Sequence, residues 1–443
     1  LIGSWIAGIG VASVLAAGAR AEHSGGDRRP PNIVLIVADD LGYGDVSFNG
    51  RTEWTTPNLD MLAKRGRLLA RSYTAAVVCA PSRAAFLTGK YTIHSGVCRN
   101  DEDLPAAEVT IAEALGRVGY RTALFGKWHA GKPRAASTQP VHPMDQGFDV
   151  FAGYADAVQA WEKFPAYLAS GRERVAVSGY IDDLITDRAV EFVGRNSGQP
   201  FFMYLAYVAT HFAIAAPADE VALHKGRLAE ADPTAPLNAA YAAMATRLDR
   251  NIGRLIATLD RLGLTRETLI VFTSDQGATF EKGNQGTSAA LDSNRPFRGQ
   301  KRTLWEGGIR VPGLVSWPGT IPGGVVGNEV VHLTDLMPTL VAAAGGRVDP
   351  AWHVDGINLL PVWTGQAQPP DRTLFWEWRS EGSFQLAALR NRMKLVVTRG
   401  GKPELYDVVN DPGERRDLSA QYPDLTRQLR KALDAWLKTE VPR

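Results

Sequence analysis

Four apolar runs, each ending abruptly in polar residues, limit the fold most strongly. Asn32–Ala38 (NIVLIVA) stops at Asp39-Asp40, and Arg121–Phe125 (RTALF) stops at Gly126-Lys127-Trp128-His129. Phe201–Val208 (FFMYLAYV) ends near Thr210-His211, and Thr268–Thr273 (TLIVFT) ends at Ser274-Asp275. Runs so continuously apolar suit strands buried on both faces of a largely parallel sheet. Helical patterns lie between them, at Thr110–Val118, Asp182–Arg195 and Tyr241–Leu262. The last carries Met244, Leu248, Ile252, Leu255 and Leu259 at three- and four-residue spacing, which makes one apolar stripe. Strands alternating with helices predict an α/β sheet. Such sheets bind ligands beyond the carboxyl ends of their strands. The polar residues just named all sit at such ends, which points to a single site.

The last hundred residues read differently. Gly- and Pro-rich turns (Trp317–Gly324) lead into a helix-like segment, Leu333–Ala344. Short alternating strands follow at Phe384–Arg390, Met393–Thr398 and Glu404–Asp407, with Asn391-Arg392 suited to the first turn. We expect a smaller antiparallel sheet closed by the amphipathic helix Leu425–Leu437. The domains expected are a catalytic one over residues 31–350 and a C-terminal one over 351–443, packed tightly because no low-complexity linker separates them.

Composition excludes several classes. A 45% hydrophobic and 22% charged share rules out a disordered chain, a collagen-like fibre and a polytopic membrane protein. Lys+Arg 49 against Asp+Glu 47 leaves a net charge of +2, so no nucleic-acid partner is expected. Two cysteines, Cys79 and Cys98, cannot make a disulfide framework. At the N-terminus, the apolar or small stretch Leu1–Ala19 precedes Ala19-Arg20-Ala21, a small-x-small cleavage pattern. Residues 1–21 read as a truncated signal peptide, so the expectation is an exported protein, periplasmic or secreted, with no stable membrane anchor. The rival reading is a single anchor helix.

Cys79-Ala80-Pro81-Ser82-Arg83 is the centre of the functional reading. Pro followed by Ala-Ala-Phe-Leu marks a helix start at the cysteine. A side chain there faces the positive end of the helix dipole, which favours an anionic substrate group. A lone cysteine is more often a small buried hydrophobe, but the pattern extends. C-A-P-S-R-A-A-F-L-T-G resembles the signature of the type I, formylglycine-dependent sulfatases, which include arylsulfatases and N-acetylgalactosamine-6-sulfatase. Gly126–Gly131 (GKWHAG) resembles that family's second signature, and PNIVLIVADDLGYGD (Pro31–Asp45) its opening strand and metal turn. TPNLD (Thr56–Asp60), GQKRTLWEGGIRVP (Gly299–Pro312), DLMPTL (Asp335–Leu340) and ELYDVVNDPGE (Glu404–Glu414) also match, in the expected order.

The resemblance implies the alkaline phosphatase-like fold: a large mixed, mostly parallel sheet flanked by helices, then a smaller C-terminal antiparallel sheet plus helix. It implies sulfate-ester hydrolysis, with Cys79 oxidised to Cα-formylglycine by a formylglycine-generating maturation enzyme. Asp39, Asp40 and Asp275 offer carboxylate oxygens, which suit Ca²⁺ or Mg²⁺ rather than Zn²⁺. The resemblance implies Ca²⁺, with position 79 and Gln276 completing the ligand set. Gln276 stands where the family commonly has Asn, one methylene shorter. Arg83, Lys127 and Lys301 supply fixed positive charge for a sulfate ester whose leaving oxygen gains charge in the transition state. His129 and His211 can move protons near neutral pH. His211 sits in a motif usually written Pro-His-x-Pro, here with Thr210 and Ala213 in place of both prolines.

Taken singly, Asp39-Asp40 is a solvated turn, each Lys or Arg a solvated face, and each His a structural residue. The nearest rival functions are a phosphonate or phosphodiester hydrolase of the same superfamily and a non-catalytic binder of sulfated glycans. The substrate expected is a sulfated small molecule or glycan. Arg99–Asp103, Gly153–Tyr180, Ala278–Pro296 and Trp352–Asp355 are the candidate substrate loops, with Trp161, Trp352 and His353 able to face a sugar.

Overall fold

The computed structural model describes residues 29–130, 141–156, 158–380 and 382–440. The expected signal peptide lies outside them, as does Gly131 of the second signature. Among the described residues no helix is long and apolar enough to cross a membrane.

Among the described residues, fourteen strands form two sheets. The large sheet holds β1 (Asn32–Asp39), β2 (Arg67–Tyr73), β3 (Arg121–Lys127), β4 (Val150–Tyr154), β5 (Tyr167–Ser170), β6 (Glu173–Ala176), β7 (Phe201–Thr210), β8 (Thr268–Ser274), β9 (Gly313–Ser316) and β10 (Val325–His332). Its order is β10-β2-β9-β8-β1-β7-β3-β4-β5-β6. The central five, β8-β1-β7-β3-β4, run parallel. Antiparallel pairs flank them on both sides, through β9 and through β5 and β6. Every residue of β1 is buried, and its side chains alternate between two cores. Val34, Ile36 and Ala38 join one core, and Ile33, Leu35 and Val37 the other. A strand covered on both faces has no polar side to present, which is why its sequence is apolar without alternation.

The helices Ile181–Asn196 and Leu237–Arg261 cover the first face. All five residues of the stripe from Met244 to Leu259 are buried there. Cys79–Thr88, Ile111–Gly116 and Leu336–Ala343 cover the second face. Each expected helix is present with ends shifted by a few residues, and a 3₁₀ turn, Leu333–Asp335, opens the segment before Leu336.

The small sheet has the order β11-β12-β13-β14, all antiparallel: β11 (Thr373–Ser380), β12 (Ser383–Arg390), β13 (Met393–Thr398) and β14 (Glu404–Asp407). The amphipathic helix Pro423–Leu437 packs Leu429, Leu433 and Trp436 against it. Its other face buries Trp376, Ala387 and Val396 together with Val77, Val78 and Leu304 of the large unit.

Candidate active site

The parallel strands end in register, with Ala38 beside Ser274 and Asp39 beside Thr210. The residues just past those ends therefore meet. β3 joins them through Gly126, whose Cβ position lies 2.0 Å from the Ala206 carbonyl oxygen, so only glycine lets β3 and β7 approach there. Asp40 takes the left-handed conformation (φ 59°), which turns the chain at the end of β1. Its amide N–H donates to Asp275 Oδ1 at 3.2 Å.

Cys79 is the first residue of its helix, and the Ala80 N–H beside it donates to Asn100 Oδ1 at 3.1 Å. Around Cys79 Sγ stand Gln276 Nε2 at 3.2 Å, Lys127 Nζ at 3.5 Å, Lys301 Nζ at 3.7 Å and Asp39 Oδ1 at 3.6 Å. The lysines are tethered in turn. Lys127 donates to Asp39 Oδ2 at 2.5 Å, and Lys301 donates to Asp40 Oδ2 at 2.9 Å. Arg83, one turn along the helix, is fully buried. Its Nε and Nη2 both donate to Asp275 Oδ2, at 3.1 and 2.8 Å. Its Nη1 donates to the Lys127 carbonyl and to the Tyr204 hydroxyl, each at 2.9 Å.

His211 is buried, with Nε2 3.8 Å from Asp40 Oδ2 and Nδ1 donating to the Phe212 carbonyl at 2.6 Å. Thr210 holds its position by donating from its hydroxyl to the Asp40 carbonyl (3.1 Å) and the Tyr241 hydroxyl oxygen (2.9 Å). The Tyr241 hydroxyl donates to Asp45. The Val208 and Ala209 N–H groups donate to Asp182. A side-chain network thus fixes the turn where the family pattern has proline. His129, at φ 42°, is also buried, and its Nδ1 has no hydrogen-bond partner. The charges of Lys127, Arg83, Asp39 and Lys301 act on it.

Burial and charge set the protonation states. Burial pushes the Cys79 thiol up to about 12 despite Lys127 and Lys301, so an unmodified thiol is a poor nucleophile. Burial would raise Asp39, but Lys127, His211, Arg83 and Lys301 outweigh it and hold the carboxyl well below its usual range. Asp275 is pushed up to about 7 by burial and by the charge of Asp39, although Arg83 and Lys127 pull the other way. Burial lowers both histidines; Lys127 and Arg83 lower His129 further.

The donor set fits a hard cation. Oxygens of Asp39, Asp40 and Asp275 lie within 4.8 Å of one another. Gln276 Oε1 is buried without a partner, while its Nε2 faces Asp40. Exchanging the amide's ends presents a fourth oxygen at the same point, and a divalent cation would add positive charge beside Asp275, whose carboxyl burial and the charge of Asp39 raise. A mixed group, Asp39, Cys79 and His211, lies within the same span.

Several contributors escape sequence reasoning: Thr74 and Ser82, whose hydroxyls donate to the Asp275 carbonyl, and Tyr204, Asn100 and Asp182. Ser82 lies inside the quoted motif and Asn100 inside the candidate loop Arg99–Asp103, but Thr74, Tyr204 and Asp182 carry no local signal. Of the aromatic candidates, Trp352 packs under the Arg117 guanidinium at 5.0 Å, and His353 is exposed. Trp161 stands against Phe212.

A sequence profile described as "Sulfatase" matches residues 31–346. The chain belongs to the sulfatase family. Another profile, described as N-sulphoglucosamine sulphohydrolase, C-terminal, matches residues 298–439. Steryl-sulfatase of Mus musculus is 31% identical, over 92% of this chain and 81% of that protein. Arylsulfatase A of Homo sapiens is 32% identical, over 91% and 86%. The crystal structure of Ps i-CgsB in complex with k-i-k-neocarrahexaose superposes with TM-score 0.82 at 31% identity, covering 92% of this chain and 93% of that one. The sulfatase therefore has the alkaline phosphatase-like fold and is a sulfuric ester hydrolase.

Proposed function

We propose that this sulfatase hydrolyses sulfate esters on a carbohydrate, with position 79 as Cα-formylglycine and Ca²⁺ as the metal. The observation that carries the reading is the setting of Cys79. A thiol unfit for attack stands at a helix N-terminus where two lysines, an amide and a carboxylate converge. The hydrated aldehyde supplies two hydroxyls on one carbon, one to displace the alcohol at sulfur and one to release sulfate as the aldehyde re-forms. Ca²⁺, with Mg²⁺ second, would be held by Asp39, Asp40, Asp275, Gln276 and position 79, and supplies Lewis-acid charge at the sulfate.

The remaining roles belong to side chains. Lys127 and Lys301 neutralise the sulfate oxygens, and Arg83 orients Asp275 and the first turn of the helix. Asp275 accepts the proton of the attacking hydroxyl. His211 has its Nδ1–H committed to the Phe212 carbonyl, so Nε2 is the nitrogen that must take up a proton before handing it to the leaving oxygen. His129 takes the proton of the second hydroxyl. The carbohydrate assignment is supported by the neocarrahexaose complex of the 31% identical neighbour. Export and a formylglycine-generating partner belong to the same proposal.

The mass of the tryptic peptide Ser72–Arg83 tests the first step, and matched aryl sulfate, phosphate and phosphonate esters test the second. An aldehyde mass with sulfate preferred is expected. Persistent thiol after co-expression with the maturation enzyme, or preference for the phosphonate, overturns the reading.

A further inference from the structure

We propose that Trp161 and Phe212 form a platform for the pyranose ring that bears the sulfate, on the leaving-group side of the site. The assignment rests on the carbohydrate reading above and deepens it. His211 is buried, and its ring stacks on Phe212 with centroids 4.2 Å apart and planes at 28°. Phe212 meets Trp161 at 5.3 Å. Trp161 is 50% exposed. Three rings thus lead from the imidazole beside the leaving oxygen to the protein surface.

The exposure of Trp161 is built in. Ala160 and Lys163 on either side are buried, and Lys163 Nζ donates to the Ala160 carbonyl at 2.8 Å. The Tyr154 hydroxyl donates to the Glu162 carbonyl at 2.6 Å, and the Ile181 N–H to the Lys163 carbonyl at 2.9 Å. The turn is pinned on both flanks while its largest side chain stays half out. Phe212 is held from another side: a Cβ at Gly283 would lie 2.7 Å from its ring. Lys301 Nζ, tied to Asp40 beside Cys79, is 5.9 Å from the Phe212 centroid. An anion held by Lys301 therefore has an aromatic wall alongside it.

That pairing selects a substrate with two ends. The sulfate takes the cations, and the attached ring needs a flat face of C–H bonds to lie on indole. A pyranose has such a face, and its hydroxyls point outward to water. Rigid aromatic side chains bind in this way with little loss of conformational freedom.

The test compares mature wild-type enzyme with Trp161→Ala and Trp161→Phe on a panel of O-sulfated hexoses and hexosamines, with 4-nitrophenyl sulfate alongside. Inorganic sulfate, which occupies only the anion pocket, serves as product inhibitor. Trp161→Ala should raise KM for the best saccharide at least tenfold and leave the inhibition constant of sulfate unchanged, and Trp161→Phe should recover most of the loss. An unchanged saccharide KM, or an equal weakening of sulfate inhibition, overturns the platform. A change confined to the aryl ester overturns the pyranose assignment. Wild-type enzyme that desulfates only the aryl ester removes the carbohydrate reading itself, and the platform's sugar with it.

Discussion

Arg83 directs both Nε and Nη2 at a single oxygen, Oδ2 of Asp275, and so ties the Cys79 helix to the end of β8. The same guanidinium reaches Lys127 and Tyr204, so three strands and the helix share one buried cation. Lysine keeps the charge but offers no planar fork. Arg83→Lys should lower kcat/KM by ~10²–10³, in the range seen when one preorganised donor is lost. Sulfate-release kinetics alongside circular dichroism check it; near-wild-type turnover in a folded variant contradicts the role.

Cys79→Ala should abolish turnover while the melting temperature stays close to that of the wild type. Removing the side chain deletes a small group that makes only weak sulfur hydrogen bonds. Cys79→Ser should be equally inactive, because serine offers one hydroxyl and no carbonyl to re-form. Turnover by the alanine variant would remove position 79 from the chemistry.

The centre of the fold is legible because β1, β3, β7 and β8 are buried on both faces, so their sequences carry no polar interruption until the site begins. Strands at or next to a sheet edge are not so marked. In β2, RLLARSY mixes arginines with apolar residues because it is only half covered, and β10 carries Gly-Asn-Glu in its middle. β11, TLFWEWRS, hides a good alternating strand before a three-strand pattern that reads as complete without it. At the site, motif residues are visible because their chemistry is unusual at a strand end. Tyr204 and Tyr241 look like ordinary core aromatics, and only folding brings their hydroxyls to Arg83 and Thr210.

Exhaustive chelation should abolish activity and Ca²⁺ should restore it. Because the carboxylates are preassembled, metal binding should also stabilise the fold, by about 2.7 kcal/mol at a hundredfold excess over Kd. Differential scanning calorimetry reads this without turnover. Gln276→Asn shortens the amide by one methylene and should tighten Ca²⁺ severalfold. Full activity in metal-free protein refutes the assignment.

A second buried ionic group lies between the two sheets. Lys394 Nζ donates to Glu306 Oε1 at 3.0 Å and sits 2.9 Å from Glu414 Oε1, with all three side chains fully buried. Glu414 Oε2 accepts the Glu306 N–H, and Tyr73 and Arg310 donate to Glu306. Glu306 follows Lys301 by five residues, so this cluster anchors the loop that carries a site lysine to the C-terminal sheet. Burial, then the charge of Glu306, push Glu414 up to about 7 even beside Lys394. For Glu306 burial also raises, but Lys394 and Arg310 outweigh it and the carboxyl is lowered. The pair therefore retains one proton, on Glu414, toward neutral pH. A carboxyl raised on folding contributes stability that is complete below its unfolded value of 4.5 and lost as pH rises through about 7. The loss is on the order of 3 kcal/mol. Glu414→Gln, which needs no proton, should flatten the fall in melting temperature between pH 4.5 and about 7, the window those two values bracket. Lys394→Met leaves two carboxyls facing each other and should destabilise by about 3–5 kcal/mol. Thermal melts across that range decide it. An unchanged pH slope in Glu414→Gln shows that the proton resides elsewhere.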